Sequence, residues 1–191
     1  KGTTVDDIEK YYDESGWTDY VHSVSRTPIL KAQHPDYEIW KMGIHGQRGV
    51  SCADCHMPYN TQGGVKVTDH HISSPLRNVS ASCQTCHRQS EDELKKNVFE
   101  RQDVIFGLRI KLEKELAKVH FKAKHLWDNG ATEEQMKPIL SLIRRAQWRW
   151  DFAHSSHGAV FHAPMESQRI LSDGMIYAME AENALDVLKE K

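Results

Sequence analysis

No apolar run in this sequence approaches the roughly 20 residues that span a bilayer, so it offers no membrane-crossing helix. Nor is there an excess of charge of one sign. Lys and Arg number 25 against 27 Asp and Glu, and the formal net charge of -2 makes no case for nucleic-acid binding, which wants a basic patch. Cysteine is scarce: all 4 sit inside two short motifs, leaving no thiol for a disulfide or a nucleophile. Before Lys1 there is no initiator methionine or signal peptide, as expected of a processed or incomplete polypeptide. A hydrophobic fraction of 39% over 191 residues is modest for about one self-sufficient domain. A bulky apolar cofactor would supply surface that the side chains do not.

What is present points to that cofactor. Cys52-Ala53-Asp54-Cys55-His56 and Cys83-Gln84-Thr85-Cys86-His87 both read Cys-x-x-Cys-His, the form of a c-type haem attachment site. Two thiols add across the vinyl groups of a haem, and the adjacent imidazole becomes an axial iron ligand. The rival reading is a structural zinc site built from two Cys-x-x-Cys pairs. Zinc ribbons usually separate the pairs by about 15 to 20 residues, and Cys55 and Cys83 lie further apart. A zinc cage also has no need of histidine directly after each second cysteine. Two redox centres bound the function to electron transfer or redox catalysis. Haem c is attached outside the cytoplasmic membrane, which implies a periplasmic location.

The composition changes near Ser90. Residues 1–90 are rich in Gly, Pro, Ser and His, with turn signals at Gln62-Gly63-Gly64 and Ser73-Ser74-Pro75 and no clean alternating strand pattern. They read as a haem-binding region of loops and short helices. Residues 91–191 read as a region of three long helices serving packing or dimerisation, the whole forming a single, mainly α domain. The first helix spans 91–128, with Leu94, Val98, Ile105, Leu108, Leu112, Leu116, Val119, Ala123 and Leu126 mostly three or four apart, and Asn129-Gly130 as its stop. A stripe this narrow suits a coiled-coil-like partner. Thr132 and Gln135 form a capping box opening a second helix to about Ala153, with Met136, Leu140, Ile143 and Trp150 on one face and Pro138 as a possible kink. The third has Pro164 in its first turn and Leu171, Met175, Ala178, Leu185 and Leu188 on one stripe.

The chain has 12 histidines, and the haem motifs use two of them. An electron-transfer haem usually takes a second protein ligand, whereas a catalytic haem keeps one position open. His45, flanked by Gly43 and Gly46, suits either a distal ligand or a surface loop. His70 or His71 is a ligand candidate, as is one of His154, His157 and His162. Pro35 biases His34 toward an extended backbone that can push its ring into a cavity.

Several runs resemble ammonia-forming cytochrome c nitrite reductase: Tyr11-Tyr12-Asp13, Leu30-Lys31-Ala32-Gln33-His34-Pro35, Gly43-Ile44-His45-Gly46, Cys52 to Pro58, Thr68-Asp69-His70, Trp148-Arg149-Trp150-Asp151 and Phe161-His162-Ala163-Pro164. The family enzyme is longer and holds five haems, so the resemblance implies a C-terminal portion carrying the last two attachment sites of a multihaem cytochrome. It implies haem-wrapping loops and short helices followed by long C-terminal helices. By the resemblance, His34 is the active-site histidine facing nitrite. The Lys31 carbonyl and the Gln33 side-chain oxygen bind calcium. His45 is distal ligand to the haem at Cys83 and Cys86, with His87 proximal. His162 serves the haem at Cys52 and Cys55, with His56 proximal. His70 serves a haem attached elsewhere. The resemblance also implies a homodimer and a membrane-bound or soluble cytochrome as electron donor. The alternatives are an octahaem nitrite or hydroxylamine enzyme and a non-catalytic multihaem electron carrier.

Overall fold

A computed structural model describes residues 2–190. In chain order the elements are helix α1 (Val5–Ser15), strands β1 (Tyr20–Val21) and β2 (Pro28–Ile29), helices α2 (Asp36–Met42), α3 (Ile44–Gln47) and α4 (Cys52–His56), strands β3 (Tyr59–Gln62) and β4 (Val65–Thr68), a 3-10 turn (Pro75–Arg77), and helices α5 (Val79–Ser82), α6 (Glu91–Asp128), α7 (Glu133–Ser155), α8 (Ala159–His162) and α9 (Pro164–Lys189). The protein is thus mainly α, with long helices at its C-terminal end.

The long helices begin where their capping residues dictate. Ser90 and Glu93 make a reciprocal capping box at the start of α6, and Thr132 and Gln135 make one at the start of α7. Asn129 caps the end of α6, and Gly130 takes φ 87. Pro164 opens α9 at a position where no helical N–H is needed. α7 continues through Pro138 and two residues beyond Ala153. On α7 the expected stripe is shifted: Met136, Ile139, Ile143, Ala146, Trp148 and Phe152 are buried, while Leu140 and Trp150 are only half-buried.

α9 packs along both α6 and α7. One buried cluster, including Val119, Met136, Ile143 and Leu185, closes the far end of the three-helix layer. The other joins Leu112, Trp148, Phe152 and Leu171 to Val5, Leu30 and Ile39, and so fastens the N-terminal segments to the helices. Two arginines of α7 complete that attachment. Arg149 is 1% exposed, and its Nη1 donates to both Glu9 oxygens at 3.0 and 3.1 Å while Nη2 reaches Asp6 at 2.6 Å. Arg144 donates to the carbonyls of Pro28 and Trp17 at 2.9 and 2.8 Å and to Asp13 at 3.1 Å. A planar, permanently charged fork suits such multiple acceptors.

The first ninety residues hold two small antiparallel sheets that the sequence pattern does not announce. β1 pairs with β2, and β3 pairs with β4 in a hairpin closed by Gly63 and Gly64 at φ 56 and 82. Positive φ at both central residues is what a tight hairpin turn requires. The hairpin is largely exposed on both faces, so its strands carry no hydrophobic alternation to read. No described helix is long and apolar enough to cross a membrane.

Candidate functional site

The loop from Leu30 to Pro35 alternates. Leu30, Ala32 and Pro35 are buried, whereas Lys31, Gln33 and His34 are exposed. α7 clamps its middle on both sides: the Ala32 N–H donates to Asp151 Oδ2 at 2.5 Å, and Ser155 Oγ donates to the Ala32 carbonyl at 3.0 Å. Asp19 accepts the Lys31 N–H at 2.8 Å. Burial raises the pKa of Asp151, opposed by its bond to Ala32 and then by the Lys31 charge.

His34 does not take the extended backbone expected before proline; its φ is 53. Positive φ is uncommon for a residue with a Cβ and is found where surrounding contacts over-determine it. Those contacts lie on both sides: Ala32 is tied to α7, and Asp36 is tied to the α7–α8 connection. Asp36 Oδ1 accepts from Ser156 Oγ at 2.9 Å and from the Gly158 N–H at 3.1 Å. The His34 ring lies 5.9 Å from that of His157. His34, Asp36 and His157 offer polar atoms that all lie within 4.8 Å of one another.

The first Cys-x-x-Cys-His motif is a single short helix. Ser51 and Asp54 cap α4 reciprocally, which puts Cys52 and Cys55 three residues apart on one helical face. The second motif follows α5 as a turn, with the N–H groups of Cys86 and His87 both bonded to the Cys83 carbonyl. All four thiols are free. α4 lies against α5, so the two motifs are close together, and burial, followed by the nearby Cys83 thiol, raises the pKa of Cys55. His56 Nδ1 lies 2.9 Å from the Ser73 carbonyl. A carbonyl only accepts, so Nδ1 carries the proton and Nε2 is left with a lone pair for a metal.

The structure brings the remaining candidates together in pairs. The rings of His45 and His87 are 6.1 Å apart, and those of His56 and His162 are 6.2 Å apart. Two metal–nitrogen bonds of about 2 Å each, plus roughly 1 Å from each nitrogen to its ring centre, would place two axial imidazoles about 6 Å apart. The spacing of both pairs therefore matches that of two imidazoles on one iron, and each pair includes the histidine of a Cys-x-x-Cys-His motif. Phe161 stacks on His45 at 5.3 Å, next to His162 in the chain. A Cβ on Gly43 would meet the His162 carbonyl oxygen at 1.6 Å, so the α2–α3 junction lies directly against the end of α8. Burial lowers the pKa of His45 and of His162; for His162 the Asp36 carboxylate opposes it.

His70 and His71 are both exposed, and His71 Nδ1 is engaged by Asp69 at 3.0 Å, which leaves His70 the freer of the two. The Lys31 carbonyl and Gln33 oxygen suit calcium in kind. They fall short of the 6 to 8 oxygens that calcium takes, so further donors would be needed. His154 stacks on Trp150 at 4.7 Å, and His120 on His22 at 3.9 Å. Sequence reasoning assigned no role to Asp36, Asp151, Ser155 or Ser156, and set His157 aside. Asp151 ends one of the runs that carry the resemblance, which is the only signal that pointed to it.

The cytochrome c552 family model matches residues 1–191. The chain is 63% identical over 191 residues to cytochrome c-552 of Bacteroides thetaiotaomicron, covering 100% of this chain and 39% of that protein. It is 64% identical over 181 residues to cytochrome c-552 of Parabacteroides distasonis, covering 95% and 37%. The chain thus spans about two fifths of the length of these relatives. Among solved structures it resembles the catalytic subunit of cytochrome c nitrite reductase from Desulfovibrio desulfuricans, a structure described for its two calcium sites. That match has a TM-score of 0.90 and 28% identity, and covers 96% of this chain and 42% of the other.

Proposed function

The chain belongs to the cytochrome c552 family, and from that premise we propose that it forms the relay and substrate-loop portion of a periplasmic, ammonia-forming nitrite reductase. The observation that carries this reading is the pairing of His45 with His87 and of His56 with His162, at 6.1 and 6.2 Å. These are the two pairs that the resemblance assigns to haems at Cys83 and Cys86 and at Cys52 and Cys55. Likeness to a solved nitrite reductase supports this reading over an octahaem relative or a simple electron carrier.

When bound, the haems supply one-electron carriers for taking nitrite nitrogen from +3 to −3. The residues of this chain hold and serve them. His56, with Nδ1–H tied to Ser73, presents Nε2, and with His162 it would hold one haem, as His87 with His45 would hold the other. His70 is available to a haem attached outside these residues. The resemblance also implies a Lys-ligated catalytic haem, and it would be attached outside these residues, since all 4 cysteines here belong to the two motifs. His34 faces nitrite on its clamped loop. An imidazole there can donate a proton or a hydrogen bond to a developing oxygen charge. Lys31 and Gln33 supply two of the calcium oxygens that steady the loop. The stripes from Ile105 to Leu126 and from Leu171 to Leu188, which the sequence offers as a homodimer seam, are taken up by packing within the chain. The seam proposed here therefore falls on the exposed apolar side chains of α6 and α9, among them Val104, Phe121, Ile176 and Met179. Electrons arrive from a membrane-bound or soluble cytochrome.

His34→Asn tests the assignment in the haem-loaded protein that contains this chain. Turnover of nitrite should fall at least tenfold, with haem stoichiometry and the bis-histidine spectra unchanged. Full retention of turnover would sink the role of His34.

A further inference from the structure

We infer that Asp36 is a positioning residue that holds the axial ligand His162 from behind, through Nδ1, while facing the His34–His157 pair with the same carboxylate. The inference rests on the reading of His162 as distal ligand to the haem at Cys52 and Cys55. It adds a residue to which neither the sequence nor the comparisons assign a role.

His162 Nδ1 is buried and has no hydrogen-bond partner, and Asp36 Oδ1 lies 4.0 Å from it. A metal-bound imidazole almost always donates its second N–H to a carboxylate, carbonyl or water, which sets the ring's orientation and its basicity. With Nε2 on iron, Nδ1 of His162 carries that proton, and the Asp36 carboxylate is the acceptor the structure places beside it. The carboxylate is also held on station. Ser156 Oγ and the Gly158 N–H both donate to Oδ1, at 2.9 and 3.1 Å, fixing it at the first residue of α2.

Gly158 has a second part in this arrangement. A Cβ there would meet His162 Cε1 and Nδ1 at 2.2 Å, so only glycine lets the ring lie against the segment that clamps Asp36. The opposite ligand is backed differently, since His56 Nδ1 donates to the neutral Ser73 carbonyl. A haem held by His56 and His162 would thus have one ligand backed by a carbonyl and the other by a charge. A carboxylate acceptor makes the imidazole a stronger donor to iron and favours the ferric state, so it lowers the potential of that relay centre. Because Asp36 also stands within 4.8 Å of the polar atoms of His34 and His157, its charge spans the relay ligand and the substrate loop.

Asp36→Asn in the haem-loaded protein that contains this chain tests the inference. Asparagine is close to isosteric and keeps an oxygen for Ser156 and Gly158, so the clamp survives while the charge is lost. Potentiometric titration should show one bis-histidine haem moving to a more positive midpoint, with haem content unchanged. The near-infrared charge-transfer band of that haem should shift toward the position of neutral bis-imidazole ligation. Loaded D36N protein with every midpoint unmoved overturns the proposal. Should D36N fail to mature, the wild-type near-infrared spectrum decides: bands of neutral bis-imidazole type at every six-coordinate haem overturn it, and one band displaced toward imidazolate supports it. His162→Ala separates the two levels. A new high-spin haem upholds the ligand assignment, so a silent D36N then defeats the Asp36 role alone. No new high-spin haem defeats the assignment itself.

Discussion

Removing the Asp151 carboxylate should loosen the loop that carries His34 without touching a haem ligand. Ala32 is buried at 6% exposure, and its N–H donates to Asp151 Oδ2 at 2.5 Å. A hydrogen bond to a charged acceptor contributes about 1.5–3 kcal/mol, and a buried donor left without a partner costs about 1–3 kcal/mol. Burial of the carboxylate, which raises its pKa, offsets part of that gain. Asp151→Ala should therefore destabilise the loop by about 2 kcal/mol, which speeds exchange of the Ala32 amide roughly 30-fold. Ser155 still holds the Ala32 carbonyl at 3.0 Å, so the loop should open rather than unfold. A misplacement of about 1 Å at a reacting group can lower a rate by about 10²-fold, so on the proposed function nitrite turnover of the haem-loaded protein that contains this chain should drop with haem spectra unchanged. Asp151→Asn retains an acceptor and should recover part of both effects. Native-state hydrogen exchange read by mass spectrometry, paired with turnover, is the assay. Wild-type protection at Ala32 in Asp151→Ala would refute the reasoning, whatever the turnover.

Two further outcomes are expected. His120 is buried between Ser25 Oγ at 2.7 Å and Gln147 Oε1 at 3.3 Å, and burial, followed by His22, lowers its pKa to about 4. Its folded value lies below the unfolded value near 6.5, so the unfolded chain takes up the proton first as pH falls. Its contribution is fully present above about pH 6.5 and is lost progressively down to about pH 4, amounting to about 3 kcal/mol in all. His120→Asn should flatten the fall of Tm across that window, and an unchanged slope would exclude the effect. Gly43→Ala should be harsher than its single methyl suggests, because the new Cβ would meet the His162 carbonyl oxygen at 1.6 Å and its carbon at 2.7 Å. On the proposed ligation of a haem by His162, pushing α8 away should detach that ligand, read as a new high-spin signal in electron paramagnetic resonance of the haem-loaded protein; a wholly low-spin spectrum would count against the proposal.

The long helices were legible because their signals are local. Capping boxes at Ser90 and Thr132, the stop at Asn129-Gly130 and Pro164 at the first turn each act within a few residues. Both Cys-x-x-Cys-His motifs are equally local, since a single helical turn suffices to line up the thiols. By contrast, the exposed β3–β4 hairpin left no trace in the hydrophobic pattern, because neither face is packed.

Local sequence signals set the helical framework, the thiol pairs with their adjacent imidazoles, and the kind of cofactor they take. Long-range packing selected which distant imidazole stands opposite which, because His45 meets His87, and His56 meets His162, across four separate segments. It also overrode a local preference. Proline at position 35 favours an extended His34, yet clamps from Asp151, Ser155, Ser156 and Gly158 on neighbouring residues turn it to φ 53. Asp36 became visible only there, where α2 meets the α7–α8 connection. A carboxylate's role depends on what faces it, and Ser156, Gly158 and His162 all come from more than a hundred residues along the chain.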